Sequence, residues 1–207
     1  MIIEENGKEI KRSQNLVRYA GNTKNINQNI LSNFSKEEQA KIRGEIKEGA
    51  IDLGKLLDDI KEAAEEGMIL VSHNANFDVN IIKRAAHKHF KDKKEAEKYM
   101  DELLTSVKIV DTYTVSKDRK AYTEVYADGS TVERNTQDAM IEHYQKKGAN
   151  IPTNKNAHRA LSDTESLVHM THAMVKERDD LLDYANIIGV ADKHRDNLVK
   201  IGPQIIA

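Results

Sequence analysis

Met68-Ile69-Leu70-Val71-Ser72-His73-Asn74-Ala75-Asn76-Phe77-Asp78 is the stretch on which the fold turns. Met68 to Ser72 is a short apolar run of the kind that makes a buried strand. A polar turn follows, and then Val79, Ile81, Ile82, Ala85 and Ala86 recur at helical spacing, so Asp78 stands where a helix opens. A strand that runs through a turn into a helix carries its next carboxylate to the carboxyl edge of a sheet, where α/β folds place ligands. The same letters have a plainer use, because Asn76 or Asp78 could simply cap the helix.

Working outward, Val107 to Asp111 (VKIVD) reads as a second buried strand. A helix is expected over about 51–66, with Ile51, Leu53, Leu56, Leu57, Ile60 and Ala64 on one face and Gly67 as its stop. Ala96 to Leu104 suggests another. Ser35 and Glu38 have capping-box spacing. Residues 2–19 read as a hairpin turning at Asn6-Gly7, with Ile10 through Val17 as the return, and 20–34 as an Asn-rich loop. A further hairpin, KAYTEVY–ADGS–TVER, turns at Asp128-Gly129. A helix follows at about 136–147, ended by Gly148, and Leu167, Met170, Thr171, Met174 and Val175 form the stripe of a longer one. The tail, 180–207, reads as one or two short helices. Short apolar runs interleaved with helices indicate one α/β domain.

Composition narrows the function classes. The chain has 207 residues with Lys+Arg 32 against Asp+Glu 34, a net charge of -2, so any hold on nucleic acid must come from a local patch. With no cysteine, disulfides and thiolate metal sites are excluded. No window is long and apolar enough for a signal peptide or a membrane span, which makes a cytoplasmic protein without membrane contact the expectation. High Lys and Asn usage without Cys or Trp suits a bacterium or a bacteriophage-infected cell.

The second chemically loaded segment is Asn156-Ala157-His158-Arg159-Ala160-Leu161-Ser162-Asp163-Thr164-Glu165. On one continuous helix, residues five apart point about 140° from each other. His158 and Asp163 therefore converge only if His158 lies in a loop and Asp163 in the helix after it. Ser162 with Glu165 supplies a capping box at such a boundary. The bland reading has Asp163 merely favouring the helix dipole.

Together, H-N-x-x-F-D after a strand and H-R-A-L-x-D opening a helix resemble the second and third motifs of the DEDD-type 3′–5′ exonucleases. The match is to the histidine subfamily, DnaQ-like, which includes proofreading subunits of DNA replication. The resemblance covers about residues 1–178 and leaves 179–207 as a C-terminal helical tail. It implies a ribonuclease H-like mixed sheet flanked by helices. It implies Asp78 and Asp163 as metal ligands, His158 as general base, and Asn74 and Phe77 as contacts to a terminal nucleotide of a single-stranded or 3′-terminal nucleic acid. For Phe77, core packing is the alternative. Phosphodiester hydrolysis gains from two hard cations about 4 Å apart, and Mg²⁺ or Mn²⁺ prefers carboxylate oxygens. Imidazole can take a proton from water at neutral pH.

One motif of the family does not occur here. Its first strand carries D-x-E, letters found in this chain only at Asp163-Thr164-Glu165, without a strand before them. Glu4 and Glu5 are adjacent and face opposite sides of a strand. MIIEENGKEI matches the hairpin that follows the motif, so the sheet is expected to lack its first, central strand. Asp111 ends a strand and could lend a carboxylate, although a structural role suits its place better. A partner polypeptide supplying the strand, a longer chain, or a homo-oligomer would fill the gap. The alternative is a catalytically inactive, exonuclease-like structural or nucleic-acid-binding subunit. A hairpin insertion near 118–135 offers Lys117, Arg119, Lys120 and Arg134 with Tyr122 and Tyr126 for gripping a single strand, or is only a solvated edge.

Overall fold

A computed structural model describes residues 2–5, 8–12, 35–49, 52–152, 160–191 and 196–200. Strands β1 (Ile2–Glu5) and β2 (Lys8–Arg12) form the expected antiparallel hairpin. Its return strand comes earlier than Ile10–Val17, and the Asn6-Gly7 turn and the 20–34 loop lie outside the described residues. Helix α1 (Lys36–Gly49) opens on the capping box, with Glu38 N–H donating to Ser35 Oγ (3.2 Å) and Ser35 N–H donating to Glu38 Oε2 (3.0 Å). Helix α2 (Leu53–Glu65) is capped by Asp52, whose Oδ1 accepts from Gly54 N–H at 2.7 Å. Gly67 ends it at φ +76, a left-handed conformation that glycine adopts without a Cβ penalty.

Strand β3 (Ile69–Ser72) leads into α3 (Ala75–His89), α4 (Lys93–Ser106) and β4 (Lys108–Asp111). β3 and β4 pair in parallel, Leu70 opposite Ile109, and parallel neighbours need such a helical crossover. β4 continues directly into α5 (Thr112–Asp118), a helix the sequence reading did not anticipate. Then come the hairpin strands β5 (Thr123–Val125) and β6 (Thr131–Glu133), α6 (Gln137–Lys146) and α7 (Ala160–Glu177). The tail departs from the expected short helices. It makes one 3₁₀ turn, Leu181–Tyr184, and then the antiparallel strands β7 (Ile187–Ala191) and β8 (Asp196–Lys200). The chain is thus mixed α/β, with seven α-helices and four two-stranded sheets among the described residues. None of the described helices is long and apolar enough to cross a membrane.

β4 divides the core, because successive strand side chains face opposite ways. Ile109 packs with Leu57, Ala86, Tyr99 and Leu103 from α2, α3 and α4. Val110 packs with Val115, Met140, Tyr144, Met170 and Met174 from α5, α6 and α7. Full burial of each such side chain contributes about 1.5–3 kcal/mol. The stripe read in the sequence is therefore real at Met170 and Met174, while Val175, at its edge, is exposed.

The two strands of the parallel pair are covered unequally. β4's outer edge is closed by Asn186, whose side-chain Oδ1 accepts from Ile109 N–H (2.8 Å) and whose own N–H donates to Ile109 O (2.7 Å). Asn186 holds φ +63 to do so, a conformation asparagine tolerates better than most residues. Among the described residues β3 pairs along one edge only, and its first residue, Ile69, is 41% exposed.

Candidate active site

At the end of β3 the buried Ser72 hydroxyl donates to Asp78 Oδ2. Asn74 turns the chain at φ +69 and sits at the N-cap, but its side chain makes no capping bond. Asp78 is the fourth residue of α3, inside the first turn, so neither it nor Asn76 occupies the cap position. Burial pushes the Asp78 carboxyl above the ordinary aspartate range, and the nearby Asp111 carboxylate pushes the same way, against the Ser72 hydrogen bond.

Asp111 is fully buried and heavily used. Its Oδ1 accepts from Asn74 N–H (2.9 Å) and from Tyr113 N–H (3.1 Å), and its Oδ2 accepts from Thr114 Oγ1 (2.9 Å). It is the N-cap of α5 and the clamp on the Asn74 turn. This is the structural role, and it accounts for a carboxylate fixed beside Asp78.

His73 bridges both sides of the turn. Its Nδ1 lies 3.0 Å from Thr112 Oγ1 and its Nε2 lies 2.8 Å from Asn135 O. A carbonyl only accepts, so Nε2 carries the proton. Thr112 Oγ1 also reaches Ser72 O at 3.0 Å, so its single hydrogen is shared between that carbonyl and Nδ1. Burial lowers the imidazole's pKa and favours this neutral form.

Two residues past Asn135, Gln137 Nε2 donates to Asp163 O at 2.8 Å. The stretch 135–137 is therefore hydrogen-bonded to both chemically loaded segments, through His73 on one side and Asp163 on the other. Asp163 lies in the first turn of α7, as expected. The helix is already formed at Ala160, so Ser162 is its third described residue, and the Ser162–Glu165 capping box does not mark its start. His158 lies outside the described residues. Sequence reasoning missed Ser72, His73 and Gln137. The first two adjoin the motif and could have been suspected, whereas Gln137 opens a helix far from it and gave no signal.

Phe77 is 61% exposed, which removes the core-packing alternative, and Asn74 beside it is exposed too. The β5–β6 hairpin and its flanks are less free than their letters suggested. Arg119 is buried against Asp180 and donates to Met174 O (3.3 Å) and Arg178 O (3.2 Å). Arg134 is held by Glu124 Oε2 (2.8 Å) and Tyr126 OH (2.9 Å). Tyr122 packs on His143 at 5.2 Å. Those three side chains serve the fold or the hairpin itself.

A groove of about 410 Å³ lies between the β1–β2 hairpin and α7, lined by Glu4, Glu9, Glu165, His169 and His172 among others. His172 Nε2 meets Glu4 Oε2 at 2.7 Å across it. Among the described residues no group of three or more His, Asp or Glu side chains is arranged to hold a metal. The donor chemistry of Asp78 and Asp163 suits a hard divalent cation, since carboxylate oxygens are its preferred ligands, but the described ligands fall short in number.

A family model described as an RNase_T exonuclease matches residues 4–171, spanning every element from β1 into α7. No curated protein and no solved structure gives a significant match. The match takes in both segments built above and covers most of the 207 residues, and the chain belongs to the RNase_T exonuclease family.

Proposed function

We propose that this protein is a 3′–5′ exonuclease module of the histidine subfamily that hydrolyses phosphodiester bonds at nucleic-acid 3′ ends. The observation that carries this reading is the double anchoring of 135–137, which binds the His73–Asp78 segment and the Asp163 helix to one short stretch of chain. Asp78 and Asp163 would hold Mg²⁺ or Mn²⁺, which when bound supplies an acidified attacking water and charge for the leaving oxygen. His158 takes the proton of the attacking water. Phe77, exposed at the start of α3, packs on the terminal base, and Asn74, exposed beside it, contacts the same nucleotide. The raised pKa of Asp78 supports a cation-binding role, because a carboxylate ionised in a partly buried place beside another carboxylate gains most from a positive charge.

The ligand set is completed by a strand bearing D-x-E, added beside β3 from a partner polypeptide or a longer chain, to give a ribonuclease H-like sheet. That β3 pairs along one edge only among the described residues, and that Ile69 is exposed, support this location. The exonuclease unit spans residues 1–178, with the C-terminal hairpin docked on it through Asn186.

The test is release of mononucleotides from a 5′-labelled oligonucleotide with Mg²⁺ or Mn²⁺, with and without a chain supplying the D-x-E strand. No release in the presence of that strand overturns the reading. A second reading, a nucleic-acid-binding subunit without catalysis, draws on the full engagement of Asp111, which leaves it no oxygen free of a hydrogen bond for a metal. It requires that Asp78→Ala and His158→Ala leave the protein's function intact.

A further inference from the structure

We infer that Gln137 is a positioning residue for Asp163, and that the stretch 135–137 sets the spacing between the two acidic segments. The inference rests on the exonuclease reading, since Asp163 matters only if it holds a cation. Gln137 is the first residue of α6, directly after the N-cap Thr136, whose hydroxyl accepts from Ala139 N–H at 3.3 Å. Its backbone is thus pinned at a helix start, and its amide is partly buried against α7. Asp163 O can only accept, so the amide nitrogen must face it, and one rotamer is selected.

The other end of the stretch is fixed independently. Asn135 O receives the His73 Nε2 proton, and His73 is held in turn by Thr112 at the end of β4. A displacement of α6 would therefore alter the approach of α7 to the turn that presents Asp78. Met140 and Tyr144 of α6 pack with Met170 and Met174 of α7, which keeps the two helices associated. Those apolar contacts allow sliding, and the directional Gln137 bond fixes the axial position of the first turn of α7. Residues that orient metal ligands from behind typically change metal affinity by 10–100-fold when removed.

The experiment compares wild type with Gln137→Glu and Gln137→Leu, both close in size and both without a donor for the carbonyl. With a chain supplying the D-x-E strand present, Mn²⁺ is titrated by water-proton relaxation, and amide exchange is followed in the first two turns of α7. The expected result is a Mn²⁺ half-saturation at least about tenfold higher in both variants, faster exchange in those two turns, and a Tm close to that of wild type. Unchanged exchange in those turns overturns the positioning role, and so does Mn²⁺ half-saturation within twofold of a saturable wild type. If wild type with the D-x-E strand supplied shows no saturable Mn²⁺ binding, or Asp163→Asn leaves that binding unaltered, the exonuclease reading fails instead. Exchange in α7 then still decides whether Gln137 fixes the helix.

Discussion

The backbone N–H of Asn74 donates to the carboxylate of Asp111 at 2.9 Å, joining the turn after one parallel strand to the last residue of its neighbour. Asp111 is fully buried and also caps α5 through Tyr113 and Thr114. Asp111→Ala leaves two backbone donors and a hydroxyl without this acceptor. It should cost about 3–5 kcal/mol, given that hydrogen bonds to a charged group contribute roughly 1.5–3 kcal/mol each and are not fully additive. Urea denaturation measures this, and a loss under about 1 kcal/mol would contradict the clamp.

Asp78 has a folded-state pKa raised by burial and by Asp111. The protonated carboxyl is favoured in the folded protein, so this stabilising contribution is complete below the unfolded pKa and disappears as pH rises through the folded one. Asp78→Asn, which stays neutral and keeps an acceptor for Ser72, should melt above wild type at pH 7. The advantage should vanish as pH falls into the ordinary aspartate range. Thermal melts at several pH values check the sign.

For His73 the sign reverses. Burial depresses its pKa, so neutral imidazole is the folded form, and stability present above the unfolded pKa of about 6.5 is lost as pH falls. Wild type should weaken on acidification from pH 7 toward 5, and His73→Asn should show a flatter profile from a lower starting point. Equal slopes for the two proteins would remove His73 from the account.

Phe77 tests the division between fold and function. With 61% of its surface exposed, Phe77→Ala should change folding stability by no more than about 0.5 kcal/mol. If a terminal base packs on it, the same change should weaken single-strand binding by about 1–3 kcal/mol, read as oligonucleotide affinity by fluorescence anisotropy. Intact affinity would take Phe77 out of the substrate site.

Arg119 and Arg134 separate the two readings of the β5–β6 hairpin. Arg119 is buried on Asp180 and two carbonyls, so Arg119→Ala should destabilise by about 2 kcal/mol or more. Arg134 pairs with Glu124 where both are exposed, and Arg134→Ala should leave the denaturant midpoint almost unchanged. Comparable losses in denaturant midpoint for the two variants would contradict this assignment.

The parts of the fold legible in the sequence were those set by local chemistry. The Ser35–Glu38 box, the stops at Gly67 and Gly148, the turn at Asp128-Gly129 and the apolar runs at 69–72 and 108–111 all act within a few residues. What stayed hidden depended on tertiary partners. Helix Thr112–Asp118 has no amphipathic stripe because Thr112, Thr114, Val115 and Ser116 are all buried, with hydroxyls satisfied inside the protein. The C-terminal strands are short and docked through Asn186 and the buried Ile188. At the site, the position of Asp78 could be read from its motif, but the hydrogen bonds of Gln137 and His73 span 26 and 62 residues of chain, a separation that no local pattern encodes.

Asn186 occupies both backbone polar groups of Ile109, so further pairing cannot continue past β4 at that residue. Among the described residues the remaining edge of the parallel pair is that of β3, so a further strand can join the pair only on that side at this level.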